Sequence, residues 1–338
     1  MDSFALDVLN PLVRGTSLER LDARLALTEI LTGSVEPVLI ASFLTALTAK
    51  GETADEMMGF IDAMIESAIT FSIGPDAIDI VGTGGDQLHS VNVSTMAAFA
   101  VAGCGVQVAK HGNRSASSSV GSADLLEALG VRLDPREEVV RACVEEANIG
   151  FLFAPVYHHA LGYLTPIRRA LNFRTVFNVL GPLANPALVE RSLIGVAQLP
   201  LLEKMARVVE SRGTRYAILV NSDDGLDELS LGAMATFEVV SAEGRIRERV
   251  DAGAVLGIHH DAETLRGGDV AHNVVVTRAF LEGRQDAVFD VACANAGLAM
   301  MVAGRATTLT EGFDLASASV IDGRAALALE RLVAVSNS

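Results

Sequence analysis

Residues 79 to 100 read DIVGTGGDQLHSVNVSTMAAFA, and this stretch decides the architecture. The apolar run AIDIV reads as a strand and the residues from Asn92, Val93, Ser94 and Thr95 onward as the start of an alanine-rich helix. Gly82, Gly84 and Gly85 form the loop between them. A strand, a glycine loop and a helix start bring free N–H groups and a helix dipole to one point, which favours an anion. The loop fits neither GxxxxGK[S/T] nor GxGxxG, so a Walker A site and a dinucleotide fingerprint are both set aside. Asp86 follows the glycines at once. A carboxylate there has three open roles: accepting from sugar hydroxyls, facing a metal-bound water, or locking the loop by accepting from backbone N–H groups.

Outward from this stretch, GVQVA, IGFLFA, SLIGVA and RYAILV repeat the short apolar run, with helical segments such as GSADLLEALG and DPREEVVRACVEEA between several of them. Continuous apolar runs alternating with helices indicate an α/β domain with a largely parallel central sheet flanked by helices, whose ligands collect at the carboxyl ends of the strands. Asp134-Pro135 reads as a helix start. After about residue 250 the chain turns mostly helical. The first seventy residues are helical too, so a small N-terminal α-helical domain precedes the α/β domain. Thr16 with Glu19 and Thr53 with Glu56 have capping-box spacing, and Gly51 is placed to stop a helix. The apolar positions of MMGFIDAMIESAI recur at three and four residues, a broad stripe read as a partner surface that predicts a homodimer, with packing in the chain's own core as the alternative.

Two further segments carry chemistry. VAKHGNRSASSSVGSAD, residues 108 to 124, places Lys110, His111, Asn113 and Arg114 beside a run of serines, a set able to hold several phosphate oxygens at once. The chain has only three lysines, so Lys110 at a strand end suits a site that needs a compact ammonium. NSDDGLDELS, residues 221 to 230, crowds Asp223, Asp224, Asp227 and Glu228 directly after a strand. Such crowding is relieved by a hard divalent cation or by solvent, and a solvated turn accounts for Asp223 and Asp224. Two anion loops and an acidic segment point to a substrate with two phosphate groups bound with Mg²⁺.

The 338 residues are half hydrophobic and carry a formal net charge of −16, which argues against nucleic acid and anionic membranes. No membrane span or signal peptide is read. Cys104, Cys143 and Cys293 lack metal spacing and fit reduced core thiols in a cytoplasmic protein.

GTGGD with NVST, VAKHGNRSASS with GSADLLEALG, RTVFNVLGPLANP and GLDEL, in that order across nearly the whole chain, closely resemble the anthranilate phosphoribosyltransferase family of tryptophan biosynthesis. The resemblance implies a helical domain over residues 1–72, joined in space by part of 160–185, and an α/β domain over 73–338 that binds the diphosphate and metal. It also implies a homodimer through the helical part, and transfer of phosphoribose from phosphoribosyl pyrophosphate (PRPP) to the amine of anthranilate. Residue by residue, it puts Gly82, Gly85, Asp86, Ser90, Asn92, Val93, Ser94 and Thr95 on PRPP. Lys110, His111, Gly112, Asn113, Arg114, Ser115, Ala116, Ser117, Ser118 and Ser122 hold the rest of it. Ser94, Asp227 and Glu228 take Mg²⁺, two ions per subunit. Gly82, Asn113, His158, Arg168, Gly181 and Pro182 border anthranilate, and Lys110 and Arg168 carry the catalytic burden. His111 and His158 are candidate proton acceptors, while a helix turns Arg169 about 100° from Arg168, toward a surface pair. The sequence departs from the family pattern at Gln87, Ser90-Val91, His159, Gly162, Asn221 and Asp290-Val291. The alternatives are a related phosphoribosyltransferase or nucleoside phosphorylase with another acceptor, or a non-catalytic nucleic-acid-binding paralogue.

Overall fold

The computed structural model describes residues 3–86, 88–114, 120–133 and 136–338. Two compact units emerge: residues 1–70 with 154–186, and residues 71–153 with 187–338.

In the helical unit, Arg20–Leu31 packs against Ala54–Glu66, with Pro37–Lys50 beside them. Phe4, Phe43 and Phe60 stack edge to face in a row with centroids 5.8 Å apart. Thr53 and Glu56 form the expected capping box. Glu56 is fully buried and takes more than that: Lys50 Nζ donates to Oε2 at 2.8 Å and Leu18 N–H to Oε1 at 3.0 Å, so its charge is paired and hydrogen-bonded. Gly51, at φ 81°, ends its helix as expected. The Thr16–Glu19 box does not form. Glu19 is itself the N-cap of Arg20–Leu31, with no side-chain cap, and Thr16 N–H turns back to Pro11 O. The stripe of residues 57 to 69 is core: Met57, Phe60, Ile61 and Met64 are buried within the helical unit itself. Its helix packs closely on Arg20–Leu31, so most of the stripe is used inside the unit rather than offered to a partner.

The second unit holds one seven-stranded sheet: β1 (Ile78–Gly82), β2 (Val108–Gly112), β3 (Ile149–Phe153), β4 (Arg191–Gly195), β5 (Tyr216–Ser222), β6 (Ala235–Ser241) and β7 (Gly244–Val250). Its order is β3-β2-β1-β4-β5-β6-β7. The first five strands are parallel, as the apolar runs require, and β6 and β7 add an antiparallel edge that the reading of the chain did not contain. The helix Val93–Gly103 is buried almost all round, against the helices Ala287–Val302, Leu309–Ile321 and Arg324–Ser336. No helix among the described residues is long and apolar enough to cross a membrane. Cys143 and Cys293 are buried, Cys104 is half-buried, and all three are free thiols. Burial pushes the Cys293 thiol up to about 12, so it is inert at neutral pH.

Candidate active site

The strand order reverses between β1 and β4, and the carboxyl ends of such a pair form the crevice where parallel α/β sheets bind ligands. Gly82 and Gly195 are register partners at those two ends. A Cβ on Gly82 would stand 2.5 Å from Asp227 Oδ2, and one on Gly195 would overlap the Asp227 carbonyl oxygen. The acidic segment therefore lies directly on the strand ends, and glycine is required beneath it. Gly84 N–H donates to Asp227 Oδ2 at 2.6 Å, which ties the glycine loop to the acidic segment. Gly84 and Gly85 adopt φ of 63° and 85°, a conformation that favours glycine.

Below, the segment is clamped. Ser222 Oγ donates to the Glu228 carbonyl at 2.8 Å and accepts from Ser230 N–H at 3.0 Å. Asn295 accepts from Leu229 N–H at 2.8 Å and donates to the Leu229 carbonyl at 3.0 Å. Sequence reasoning missed Asn295, although a single amide in the apolar helix VACANAGLAMM was a signal. Asp223 pairs with Arg249 at 2.7 Å, and Asp224 accepts from Ser230 Oγ at 2.5 Å. Those two carboxylates have structural partners, so protein contacts account for them where solvent was expected.

Lys110 leaves β2 with its Nζ buried against the Ile80 carbonyl at 2.6 Å and Ser94 Oγ at 3.3 Å. Burial pushes its pKa down, and Asp79 and Glu228 pull it back up. Burial holds the Glu228 carboxyl well above the usual range; Asp227 and then Asp86 add to that, while Lys110 and the Ser94 N–H oppose it. Asp86, Ser94, Lys110, Asp227 and Glu228 thus share one electrostatic corner, in which carboxylates outnumber ammonium groups. A divalent cation inverts that balance. Ser94 hydroxyl and two carboxylates are hard oxygen donors of the kind Mg²⁺ takes, with water and phosphate oxygens completing its shell. Among the described residues no three His, Cys, Asp or Glu side chains group as a metal cage. At the same helix start, buried Thr95 Oγ1 has no partner among the described residues.

Asp86 takes the third of its open roles, because Ser90 N–H donates to its Oδ2 at 3.1 Å and closes the loop. Other expected diphosphate contacts already have protein partners. Arg114 forms ion pairs with Asp124 at 2.9 Å and Glu127 at 2.8 Å, which hold its pKa above the usual range. Asn92 bonds Val120 and Asn273. Asn113 Oδ1 accepts from Arg114 N–H at 2.7 Å, and His111 N–H donates to buried Asp79 at 3.1 Å. Ser122 Oγ lies where a Cβ on Gly112 would be. Gln87, Ser115, Ala116, Ser117 and Ser118, with the helix start at Asp134-Pro135, lie outside the described residues. Of the departures from the family pattern, Asn221 donates to the Val196 carbonyl at 2.7 Å and Asp290 meets His260 at 2.7 Å.

The acceptor-side residues lie on the helical unit, apart from Gly82 and Asn113. Arg168 is half-buried on the short helix Thr165–Leu171, stacked over Phe177 at 5.6 Å, with a 3.4 Å contact to Asn178 Oδ1. Burial lowers its pKa, and among the described residues it has no carboxylate partner. Arg169 is exposed as expected, but no ion pair among the described residues engages it. His158 Nε2 donates to the Ala184 carbonyl at 2.8 Å, directly after the turn Gly181–Leu183. Burial holds its pKa below the usual histidine range against the Ala184 and Met64 backbone groups. It braces the Gly181-Pro182 turn, and its Nε2 is committed as a donor there, so that nitrogen is no proton acceptor.

A model described as "Glycosyl transferase family, a/b domain" matches residues 74–326, and its "helical bundle domain" companion matches 6–68. The anthranilate phosphoribosyltransferase of Thermomicrobium roseum is 45% identical over 336 residues, 98% of this chain and 97% of that one. The crystal structure of the Thermus thermophilus anthranilate phosphoribosyltransferase superposes with a TM-score of 0.90 at 38% identity, covering 98% of this chain and 100% of that one. The Saccharomyces cerevisiae enzyme in complex with PRPP and Mg superposes at 0.89 and 25% identity, covering 100% and 99%.

Proposed function

The chain belongs to the anthranilate phosphoribosyltransferase family, and from that membership we propose how its residues act. It transfers the phosphoribosyl group of PRPP to the amine of anthranilate, releasing pyrophosphate, in tryptophan biosynthesis. The carrying observation is the Asp227-Glu228 segment seated on the ends of β1 and β4 and bonded to Gly84.

Displacing pyrophosphate from a ribose carbon leaves positive charge on the sugar and negative charge on the departing group. Mg²⁺, which we place on Ser94, Asp227 and Glu228 at two ions per subunit, supplies electrostatic stabilisation of that departing charge when bound. Gly82, Gly85 and Asp86, the helix start at Asn92 to Thr95 and the residues from Lys110 to Ser122 receive the phosphate oxygens. Buried Lys110 supports them from behind by holding Ser94 Oγ. No side-chain nucleophile is required, because an aromatic amine is neutral at pH 7 and needs positioning more than a strong base. Arg168 supplies it by meeting the anthranilate carboxylate, with its guanidinium preset on Phe177. Diphosphate and metal binding thus belong to residues 73–338, and acceptor recognition largely to 1–72 with part of 160–185. The acidic pair and the unneutralised Arg168 favour this reading over nucleoside phosphorolysis.

The enzyme acts as a cytoplasmic homodimer through its helical unit. With the 57–69 stripe in the core, the supporting surface is the groove lined by Leu12, Val13, Val38, Ala41, Thr45 and Ala49, where Val13 and Val38 are each 70% exposed. A monomer in sedimentation at micromolar concentration overturns the dimer. The activity is tested by mixing enzyme, PRPP, Mg²⁺ and anthranilate and following anthranilate fluorescence. A loss that requires all three additions is expected, and an unchanged signal with folded protein refutes the assignment.

A further inference from the structure

Asn273 lies in the first turns of the helix Val270–Leu281, outside every segment assigned above to a substrate, and is 1% exposed. Its Nδ2 donates to Asn92 Oδ1 at 3.0 Å, and its Oδ1 accepts from Gly268 N–H at 3.0 Å. Asn92 Nδ2 donates onward to the Val120 carbonyl at 3.0 Å. The polarity of this chain is set at both ends, since a backbone N–H only donates and a backbone carbonyl only accepts. Turning either amide over would place two donors or two acceptors face to face.

The chain of bonds joins the segments on which diphosphate binding depends. Asn92 opens the helix that carries Ser94 and Thr95. Val120 stands two residues before Ser122. Gly268 closes a stretch that is itself bonded to the glycine loop: Val91 N–H donates to Leu265 O at 2.8 Å and Gly267 N–H to His89 O at 2.9 Å. His260 ties the near end of that stretch to Asp290 on the helix Ala287–Val302, at 2.7 Å. Both amide atoms of Asn92 are engaged by protein, so Asn92 shapes the helix start through its side chain.

We propose that Asn273 is a positioning residue for PRPP, acting through Asn92 to hold the helix start and the Val120–Ser122 stretch in fixed register. This deepens the PRPP reading and rests on it. A substrate with phosphates at two separated points binds well only when both receiving loops keep their spacing, and a one-ångström error is costly. Asn273 touches no substrate in this account, so its loss acts on the diphosphate substrate and leaves anthranilate recognition alone.

The test is a double-mutant cycle read by steady-state kinetics, begun only once the wild type shows PRPP-dependent loss of anthranilate fluorescence; failure at that point counts against the PRPP reading and not against Asn273. Asn273→Ala should raise the KM for PRPP roughly tenfold, with the KM for anthranilate within about twofold of wild type. In an Asn92→Ala background the same substitution should add no more than about twofold, because the two side chains act as one link. If Asn273→Ala does not fold, Asn273→Ser is read in its place. An unchanged KM for PRPP, an equal rise for both substrates, or an equal effect in both backgrounds overturns the proposal.

Discussion

At the ends of β1 and β4, Asp227, Lys110 and Asp86 all act on one buried carboxyl, that of Glu228, and backbone and side-chain bonds fix each element in place. Around Arg168, a half-buried guanidinium rests on the Phe177 ring with a 3.4 Å contact to Asn178. The first region has its geometry fixed but its charge unbalanced; the second presents a guanidinium that has no carboxylate partner among the described residues. The difference fits the proposed division of ligands between them. A metal diphosphate brings several charges and needs many fixed donors, whereas a flat aromatic acid brings one carboxylate and needs one fork.

The largest effect should come from removing the acids. Asp227→Ala with Glu228→Ala is expected to reduce turnover by roughly a thousandfold or more, as the loss of a principal electrostatic element does, while circular dichroism stays native. Near-normal activity at ordinary Mg²⁺ would place the metal elsewhere. Next, Gly195→Ala forces a Cβ into the Asp227 carbonyl, with backbone on both sides and no side chain to yield. It should cost about a hundredfold in kcat/KM for PRPP, in line with a one-ångström misplacement, and a variant as active as wild type would show that the acidic segment need not sit on that strand end.

Arg168→Ala should weaken anthranilate use by roughly ten- to a hundredfold, the equivalent of a charged hydrogen bond of about 1.5–3 kcal/mol. Lysine at this position, lacking the planar fork, should restore only part. A defect confined to PRPP would merge the two regions that the comparison separates.

The smallest effect is one of pH, and its sign differs between the regions. His158 has its folded pKa below the ordinary 6.5, so its contribution to stability is present above 6.5 and lost as pH falls through the folded value. Glu228 has its folded pKa raised above 4.5, so its contribution is present below 4.5 and lost as pH rises through the folded value. His158→Gln should therefore flatten the acid side of the melting profile by about 2–4 °C in metal-free enzyme. A profile that stays parallel to wild type from pH 5 to 7 removes His158 from that account.

Much of the first region was legible because parallel strands and their loops announce themselves locally: AIDIV, three glycines and a helix start are one continuous text. So was the capping box at Thr53, whose partner lies three residues away. The Thr16–Glu19 spacing matched the same pattern but failed, since spacing alone does not say where a helix begins. The antiparallel pair β6 and β7 was missed because β7, at the exposed edge, is mostly charged, RIRERV, and because the apolar stretch of β6, ATFEVVS, is broken by a buried Glu238. The stripe of residues 57–69 could not be assigned to core or partner from periodicity, because both present the same face. Asn273, Asn295 and Asp79 were invisible for another reason: their roles depend on residues between 32 and 181 positions away, which only the fold brings together.

Calorimetric titration of Mg²⁺ and PRPP into Arg168→Ala and, side by side, into the Asp227→Ala, Glu228→Ala variant tests the division of labour most directly. The account predicts wild-type heat and affinity for the first and no measurable binding for the second. Lost binding with Arg168→Ala, or intact Mg²⁺-dependent binding without the two acids, would contradict it.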